Sequence, residues 1–337
     1  MTSGQGAGSR PEVVVFALGG TIAFGARDGG AARVSLDAAD LVAGVPGLAP
    51  HLAARPVTFR SVPSADLTFA DLAELAREID AAIAAGAAGC VVTQGTDTLE
   101  ESAYALDCLV TAQAPVVVTA AMRQAGQPGA DGPANLAAAL RTAISPLAAG
   151  LGVLVVVNDE IHAARFVQKA HSTSPSAFRS PAAGPLGSVS EDRVRIPLVP
   201  RHRAPRIRLG RGAVIPPVAL IRLALGDGPE LLDSVAAPAA LGAVVEVFGA
   251  GHAAQRNAAA LKRLAGRMPV VFASRTGAGE VHTSAAGYPG SEQDLIDGGL
   301  MPAGALDGLK ARVLLALLLA DGAGRDRIAA TLAQTAD

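Results

Sequence analysis

Two hydroxyl-bearing segments and one lysine are the places in this sequence where chemistry could be done. The first reads Leu18-Gly19-Gly20-Thr21-Ile22-Ala23 and follows the apolar run Val13 to Ala17. The second reads Gln94-Gly95-Thr96-Asp97-Thr98 and follows the run Val91 to Thr93. Glycine ahead of threonine lets the backbone turn sharply and present a hydroxyl at the end of a strand. Neither segment is a dinucleotide fingerprint, and neither is a phosphate loop, since no Gly-Lys-Ser/Thr follows. The first is equally a plain turn with a capping threonine. In the second, Thr98 or Asp97 could cap the next helix. One cap suffices, which leaves the Thr96-Asp97 pair without a structural task.

Lysine is rare here: of the 28 basic residues only Lys169, Lys262 and Lys310 are lysine. Arginine keeps its proton at any working pH, whereas a desolvated lysine can act as a base. Lys169 follows the segment Asn158-Asp159-Glu160, which leaves the run Val153 to Val157. The alternative for Lys169 is an ordinary surface side chain. The six histidines show no His-Glu-x-x-His or Cys/His spacing, so neither a metal nor an organic cofactor is expected. No Gly-x-Ser-x-Gly elbow occurs either. What remains is a threonine nucleophile served by a threonine, a lysine and an aspartate from other strand exits.

Such groups need a scaffold, and the pattern supplies one. Short apolar runs at Val13 to Ala17, Val91 to Thr93, Val116 to Thr119 and Val153 to Val157 alternate with segments of helical period. Leu72, Leu75, Ile79 and Ile83 share a helix face behind a capping-box pair, Thr68 and Asp71. A second helix starts at Thr98 and carries Leu99, Ala103, Leu106 and Val110; a third covers about Asn135 to Ile144. This order predicts a larger N-terminal α/β domain over 11–190, its mostly parallel sheet covered by helices on both faces. Residues 1–10 read as a loose tail, and 191–217, with seven arginines and five prolines, as a linker. A smaller C-terminal α/β domain over 218–337 is expected from the runs Val218 to Leu225, Val244 to Phe248 and Val270 to Ala273 and a helix from about Ala305 to Ala320.

Composition excludes several classes. The 337 residues are 50% apolar and 17% charged, and the mean hydropathy is +0.37, too apolar for a disordered chain. The net charge is −2 with scattered basic residues, so no nucleic-acid partner is expected. The longest apolar run, Val313 to Ala320, falls short of a membrane span. The N-terminal segment has no hydrophobic stretch of a signal peptide, and Cys90 and Cys108 read as buried thiols. These features predict a cytoplasmic protein without a membrane partner.

In these residues the sequence resembles the bacterial-type L-asparaginases. Gly19-Gly20-Thr21-Ile22-Ala23 and Gly95-Thr96-Asp97-Thr98 are similar to the two signature motifs of that family. The likeness continues through Ala121-Met122-Arg123, Ala130-Asp131-Gly132-Pro133, Asn135-Leu136, Asn158-Asp159, Lys169 and Gly184-Pro185-Leu186-Gly187. It thins after residue 190 to Gly249-Ala250-Gly251 and Leu309-Lys310-Ala311-Arg312-Val313-Leu314.

The resemblance implies a threonine amidohydrolase of asparagine metabolism. Thr21 would attack the side-chain amide, and Thr96, Asp97 and Lys169 would form a proton relay. Ser64 would hold the substrate α-carboxylate, Asp97 the ammonium, and the Thr96 amide with Ala121 would surround the oxyanion; Gly95 lines the same loop. The family also implies self-association as a dimer or tetramer. Two other readings stay open: a non-catalytic amino-acid-binding protein on this fold, and an ammonia-supplying amidotransferase subunit. This chain departs from the family at Leu18, Gln94 and Ala120, which touch packing. Ala65, Ala253-Ala254 and a segment 24–40 without tyrosine touch the substrate, so an incomplete ammonium pocket is expected.

Overall fold

The computed structural model describes residues 10–24, 36–45, 47, 52–235 and 240–335. All but the last residue of the expected N-terminal tail and most of the tyrosine-free segment 24–40 lie outside them. The N-terminal sheet is built from β1 (Glu12–Ala17), β2 (Ala53–Thr58), β3 (Gly89–Thr93), β4 (Val116–Thr119) and β5 (Val153–Val157), all parallel. Antiparallel strands β6 (Glu160–Ala163), β9 (Gly187–Ser190) and β10 (Arg193–Arg195) extend it beyond β5. Between β6 and β9 the chain makes a separate two-stranded ladder, β7 (Gln168–Lys169) with β8 (Phe178–Arg179). The order across the large sheet is β10-β9-β6-β5-β4-β3-β1-β2.

That order sets where a site can form. The chain runs from β1 outward to β2, then returns to place β3 on the other side of β1. The loops leaving β1 and β3 therefore diverge, and open α/β sheets bind their ligands in the crevice such a reversal creates. Thr21 follows β1, and Thr96 follows β3.

The helices are α1 (Ala38–Ala43), α2 (Phe69–Ala84), α3 (Leu99–Leu109) and α4 (Gly132–Ala143). The capping box at α2 forms as the sequence predicts, with Asp71 N–H donating to Thr68 Oγ1 at 3.2 Å and Thr68 N–H returning to Asp71 at 3.0 Å. Leu72, Leu75, Ala76 and Ile79 then bury one face of that helix. β3, β4 and β5 are buried at every position, as strands covered on both faces must be. Cys90 and Cys108 are buried and free, and burial pushes the Cys90 thiol up to about 12.

The stretch read as a linker is built into the fold at its start, because β10 pairs along β9 at the sheet edge. Its alternating Arg-Val-Arg suits an edge strand, which tolerates charge where a central strand does not. Farther on, Ala204 and Ile207 are buried in the core. The C-terminal sheet, all parallel, has the order β11 (Val218–Arg222), β12 (Gly242–Val247), β13 (Val270–Ser274) and β14 (Met301–Pro302). Around it lie α5 (Glu230–Val235), α6 (Gln255–Arg267), α7 (Glu292–Asp297), α8 (Gly308–Ala320) and α9 (Arg325–Gln334). Asp307 caps α8 by accepting from Lys310 N–H at 2.9 Å. The apolar run Val313 to Leu318 is buried along this helix, between its own sheet and α3. Among the described residues no helix is long and apolar enough to cross a membrane.

Candidate active site

The loop after β1 turns on Gly19 and Gly20, both with positive φ, and enters a 3-10 turn at Thr21. Gly20, at φ +82°, lies directly against the Gly95 backbone. A side chain at either glycine has no room: a Cβ on Gly95 would sit 2.7 Å from Ser64 Oγ. The two motifs are thus pressed together, and the half-buried Thr21 emerges beside the β3 exit. Its hydroxyl has no hydrogen-bond partner among the described residues.

Lys169 reaches the second motif from β7. Its Nζ donates to Thr96 Oγ1 at 2.9 Å and to Asp97 Oδ1 at 2.6 Å. The lysine side chain is 16% exposed, while that of Asp97 is 72% exposed. The lysine is therefore no free surface charge. It is fixed against a buried threonine and an aspartate whose other oxygen, Oδ2, has no partner among the described residues.

Capping does not account for the second motif. Thr98 stands at the N-cap of α3, yet its hydroxyl makes no cap bond and donates to the Ser64 carbonyl at 2.9 Å. Ser64, 2% exposed, accepts from Asp97 N–H at 3.2 Å through its hydroxyl oxygen, leaving its own O–H free to donate. Gln94 points inward to Ser102 and the Gly95 carbonyl, which supports the reading of that departure as packing.

The β4 exit is tied down from α4. Asn135 Nδ2 donates to the Ala120 carbonyl at 2.9 Å, and Asp131 accepts the N–H groups of Met122 and Arg123 at 3.0 and 2.9 Å. Asn135 Oδ1 also receives Asn158 N–H at 2.8 Å. The buried Ala121 is fixed between these anchors, and Gly132 packs against both Ala121 and Ile22 of the first motif. Four strand exits are thereby held in one arrangement by side chains the sequence motifs had already marked.

The substrate-side departures are equally plain. Ala65 is exposed and Ala254 opens α6 with no side-chain cap, so neither supplies a polar group. Glu292 is fully buried: its Oε1 accepts from Ala285 N–H at 2.6 Å, and its Oε2 stands 3.2 Å from His252 Nε2. The His252 ring packs on Tyr288 with centroids 5.7 Å apart. None of these three is bonded to the Thr96–Lys169–Asp97 group within the chain.

Sequence reasoning passed over the layer beneath Lys169. Glu100 Oε1 accepts Lys169 N–H at 3.1 Å, and Gln168 Nε2 donates to Gly277 O at 2.6 Å and to Asp307 Oδ2 at 3.1 Å. The rarity of lysine was the available signal, since Lys310 is a member of this layer. Nearby Glu101 has its carboxyl pushed up by burial, partly offset by Arg312 at 3.6 Å. Among the described residues, no group of three His, Cys, Asp or Glu could hold a metal ion.

Comparison with known proteins agrees with this fold. The family description Asparaginase, N-terminal matches residues 12–200, and Glutaminase/Asparaginase C-terminal domain matches 217–332. The chain is 34% identical over 333 residues to a probable L-asparaginase of Deinococcus radiodurans, covering 95% of this chain and 96% of that protein. It is 33% identical over 326 residues to L-asparaginase 2 of Bacillus subtilis, covering 92% and 82%. The crystal structure of a probable cytoplasmic L-asparaginase from Campylobacter jejuni superposes with a TM-score of 0.86 at 29% identity, covering 96% of this chain and 99% of that one. With both of its domains matched in order and its signature loops meeting at the switch point of the sheet, this chain belongs to the asparaginase family.

Proposed function

We propose that the protein hydrolyses the side-chain amide of L-asparagine, or a closely related amide, to the acid and ammonia through a threonine ester. The observation that carries this reading is Lys169 Nζ placed on both Thr96 Oγ1 and Asp97 Oδ1, in a loop pressed against the one that carries Thr21. In the first step Thr21 Oγ bonds to the amide carbon. Its proton passes through the Thr96–Lys169 pair to the departing nitrogen, and the C–N bond breaks to give ammonia and an acyl-enzyme. In the second step water attacks the ester carbon, loses a proton to the same pair, and Thr21 recovers its own as the acid leaves.

Several local features support the assignment of the substrate's groups. The free O–H of Ser64 suits the α-carboxylate, and the exposed Asp97 Oδ2 suits the α-ammonium. The Thr96 N–H and the Ala121 region suit the developing oxyanion. No metal or organic cofactor takes part in this scheme. An aspartate so open to solvent also fits a site closed by a second subunit, so we include a homodimer or tetramer in the proposal. Light scattering that shows an active monomer at micromolar concentration would overturn that part.

Ammonia release from asparagine, glutamine and simple amides, with hydroxylamine trapping of the ester, tests the chemistry. The expected result is turnover of asparagine by the parent and a nearly inactive Thr21→Ala with nothing to trap. Binding of asparagine without ammonia release would favour a non-catalytic binding protein instead.

A further inference from the structure

We infer that Lys310, on the C-terminal domain, is a positioning residue for Lys169, acting through Glu100, Asp307 and Gln168. This rests on the proposed relay role of Lys169. β7 is only two residues long, so its ladder with β8 fixes Lys169 weakly. Both of its residues are instead held from beneath. Glu100 Oε1 takes the Lys169 N–H at 3.1 Å, and Asp307 Oδ2 takes the Gln168 amide at 3.1 Å.

These two carboxylates come from different domains, Glu100 from α3 and Asp307 from the cap of α8. Lys310 joins them. Its Nζ stands 2.6 Å from Asp307 Oδ2 and 3.4 Å from Glu100 Oε2, and its side chain is 0% exposed. Buried carboxylates without a counter-charge either rearrange or take up a proton. The ammonium of Lys310 is what allows Glu100 to keep one oxygen on the Lys169 backbone and the other facing inward.

The choice of residue fits the task. A chain that uses arginine almost everywhere places lysine at this point, where a compact charge with three donors reaches two carboxylates in a closed space. The other charged groups around the pair are Asp97 and Glu101 near the start of α3, Arg312 on α8 and Glu246 on β12. Of these, Asp97 bonds Lys169 directly and Arg312 lies against Glu101, so neither substitutes for Lys310.

The test is steady-state kinetics on asparagine across pH, for Lys310→Met, Glu100→Gln, their double variant and Lys169→Met, with concentrations normalised to folded protein. Lys310→Met is expected to lower kcat by about tenfold to a hundredfold with KM changed less than about twofold, the effect of a loosened catalytic group. The pH profile of kcat should also change, because removing the cation leaves a carboxylate without its counter-charge next to Lys169. Adding Glu100→Gln should recover part of the loss, since its amide oxygen still accepts the Lys169 N–H but carries no charge. Should Lys310→Met not fold, the contrast between Glu100→Leu and Glu100→Gln reads the same contact, and the leucine variant should fall further.

A purely structural lysine would change stability and leave kcat and its pH profile at parental values. A folded Lys310→Met with parental kcat and pH profile, beside an inactive Lys169→Met, overturns the positioning role alone. Equal activity of Glu100→Leu and Glu100→Gln overturns it as well. A fully active Lys169→Met removes the relay and this inference with it.

Discussion

Gly20 and Gly95 lie backbone against backbone: a Cβ on Gly20 would stand 2.2 Å from both the Cα and the nitrogen of Gly95. Gly20 also has φ +82°, a region that L side chains rarely adopt. Gly20→Ala should therefore separate the two motif loops while leaving the sheet below intact. Displacement of about 1 Å between the proposed nucleophile and relay corresponds to roughly a hundredfold loss in kcat. Far-ultraviolet circular dichroism should remain parental while turnover of asparagine collapses. A fully active Gly20→Ala would mean the loops need not touch.

Lys169→Met removes the group that holds Thr96 and Asp97 together. The expected result is a folded protein with turnover lowered by about a hundredfold to ten-thousandfold, the usual size of a lost acid–base group. Rate measurement with the folded fraction set by analytical gel filtration checks this. Turnover near the parental rate would take the relay out of the mechanism.

Substrate selection should be weak at the α-ammonium. Ala65 and Ala254 supply no acceptor, and among the described residues Asp97 is the acceptor proposed for it. A hydrogen bond to a charged group contributes roughly 1.5–3 kcal/mol, so one or two missing acceptors cost discrimination of about tenfold to several thousandfold. We expect a high KM for asparagine and appreciable hydrolysis of succinamic acid, its des-amino analogue. Comparing kcat/KM for the two decides it. A preference for asparagine above about a thousandfold would show that another group completes the pocket.

Two buried titratable groups oppose each other in the dependence of stability on pH. Burial raises the Asp107 carboxyl to about 6, although its Oδ1 accepts Val153 N–H at 2.8 Å. The folded state binds that proton more tightly than the unfolded chain, so this contribution falls as pH rises from about 4 to 6. Burial lowers His162, which faces Ser180 Oγ at 2.9 Å, to about 4. Its contribution is fully present above about 6.5 and is lost as pH falls toward 4. Each contribution is on the order of 2–3 kcal/mol, with opposite sign. Relative to the parent, Asp107→Asn should lose stability on acidification from pH 6 to 4, and His162→Gln should gain it. Urea unfolding at several pH values reads both slopes. Parallel curves for parent and variants would refute the opposition.

Much of this molecule was readable from residue types because its strongest signals are local. Val116 to Thr119 and Val153 to Val157 form strands at the predicted positions, since short runs made almost wholly of β-branched residues and bounded by turns have few alternatives. The capping box at Thr68 and Asp71 depends only on neighbours in sequence. Strand β10 escaped because an edge strand carries charge and needs no apolar period, and its inner neighbour β9, Gly-Ser-Val-Ser, is too short and polar to show one. Thr21, Thr96 and Asp97 were visible as odd residue types at strand exits, and Lys169 as one of three lysines in an arginine-rich chain. Glu100, Asp307 and Gln168 were not, because a carboxylate or amide near the start of a helix or in a short strand looks alike whether it faces water or a neighbouring domain. The Thr98 hydroxyl shows the same limit: its partner, the Ser64 carbonyl, is distant in sequence.

One apolar cluster contains Val14, Val92 and Leu106 from the first sheet and its helix, together with Val218, Val244, Val271 and Leu314 from the second. The boundary between the domains is therefore continuous oil rather than a wetted seam. Pulling the halves apart would strip α3 and α8 of their shared cover at the moment the Glu100–Lys310 pair meets water. Proteins whose subdomains share such an interior tend to melt in one cooperative step. A calorimetric scan of the whole chain should show a single transition, and amides in β3 and β12 should exchange with deuterium only through that same global opening. Residues 11–190 expressed alone should then be a sticky, partly ordered fragment instead of a smaller enzyme.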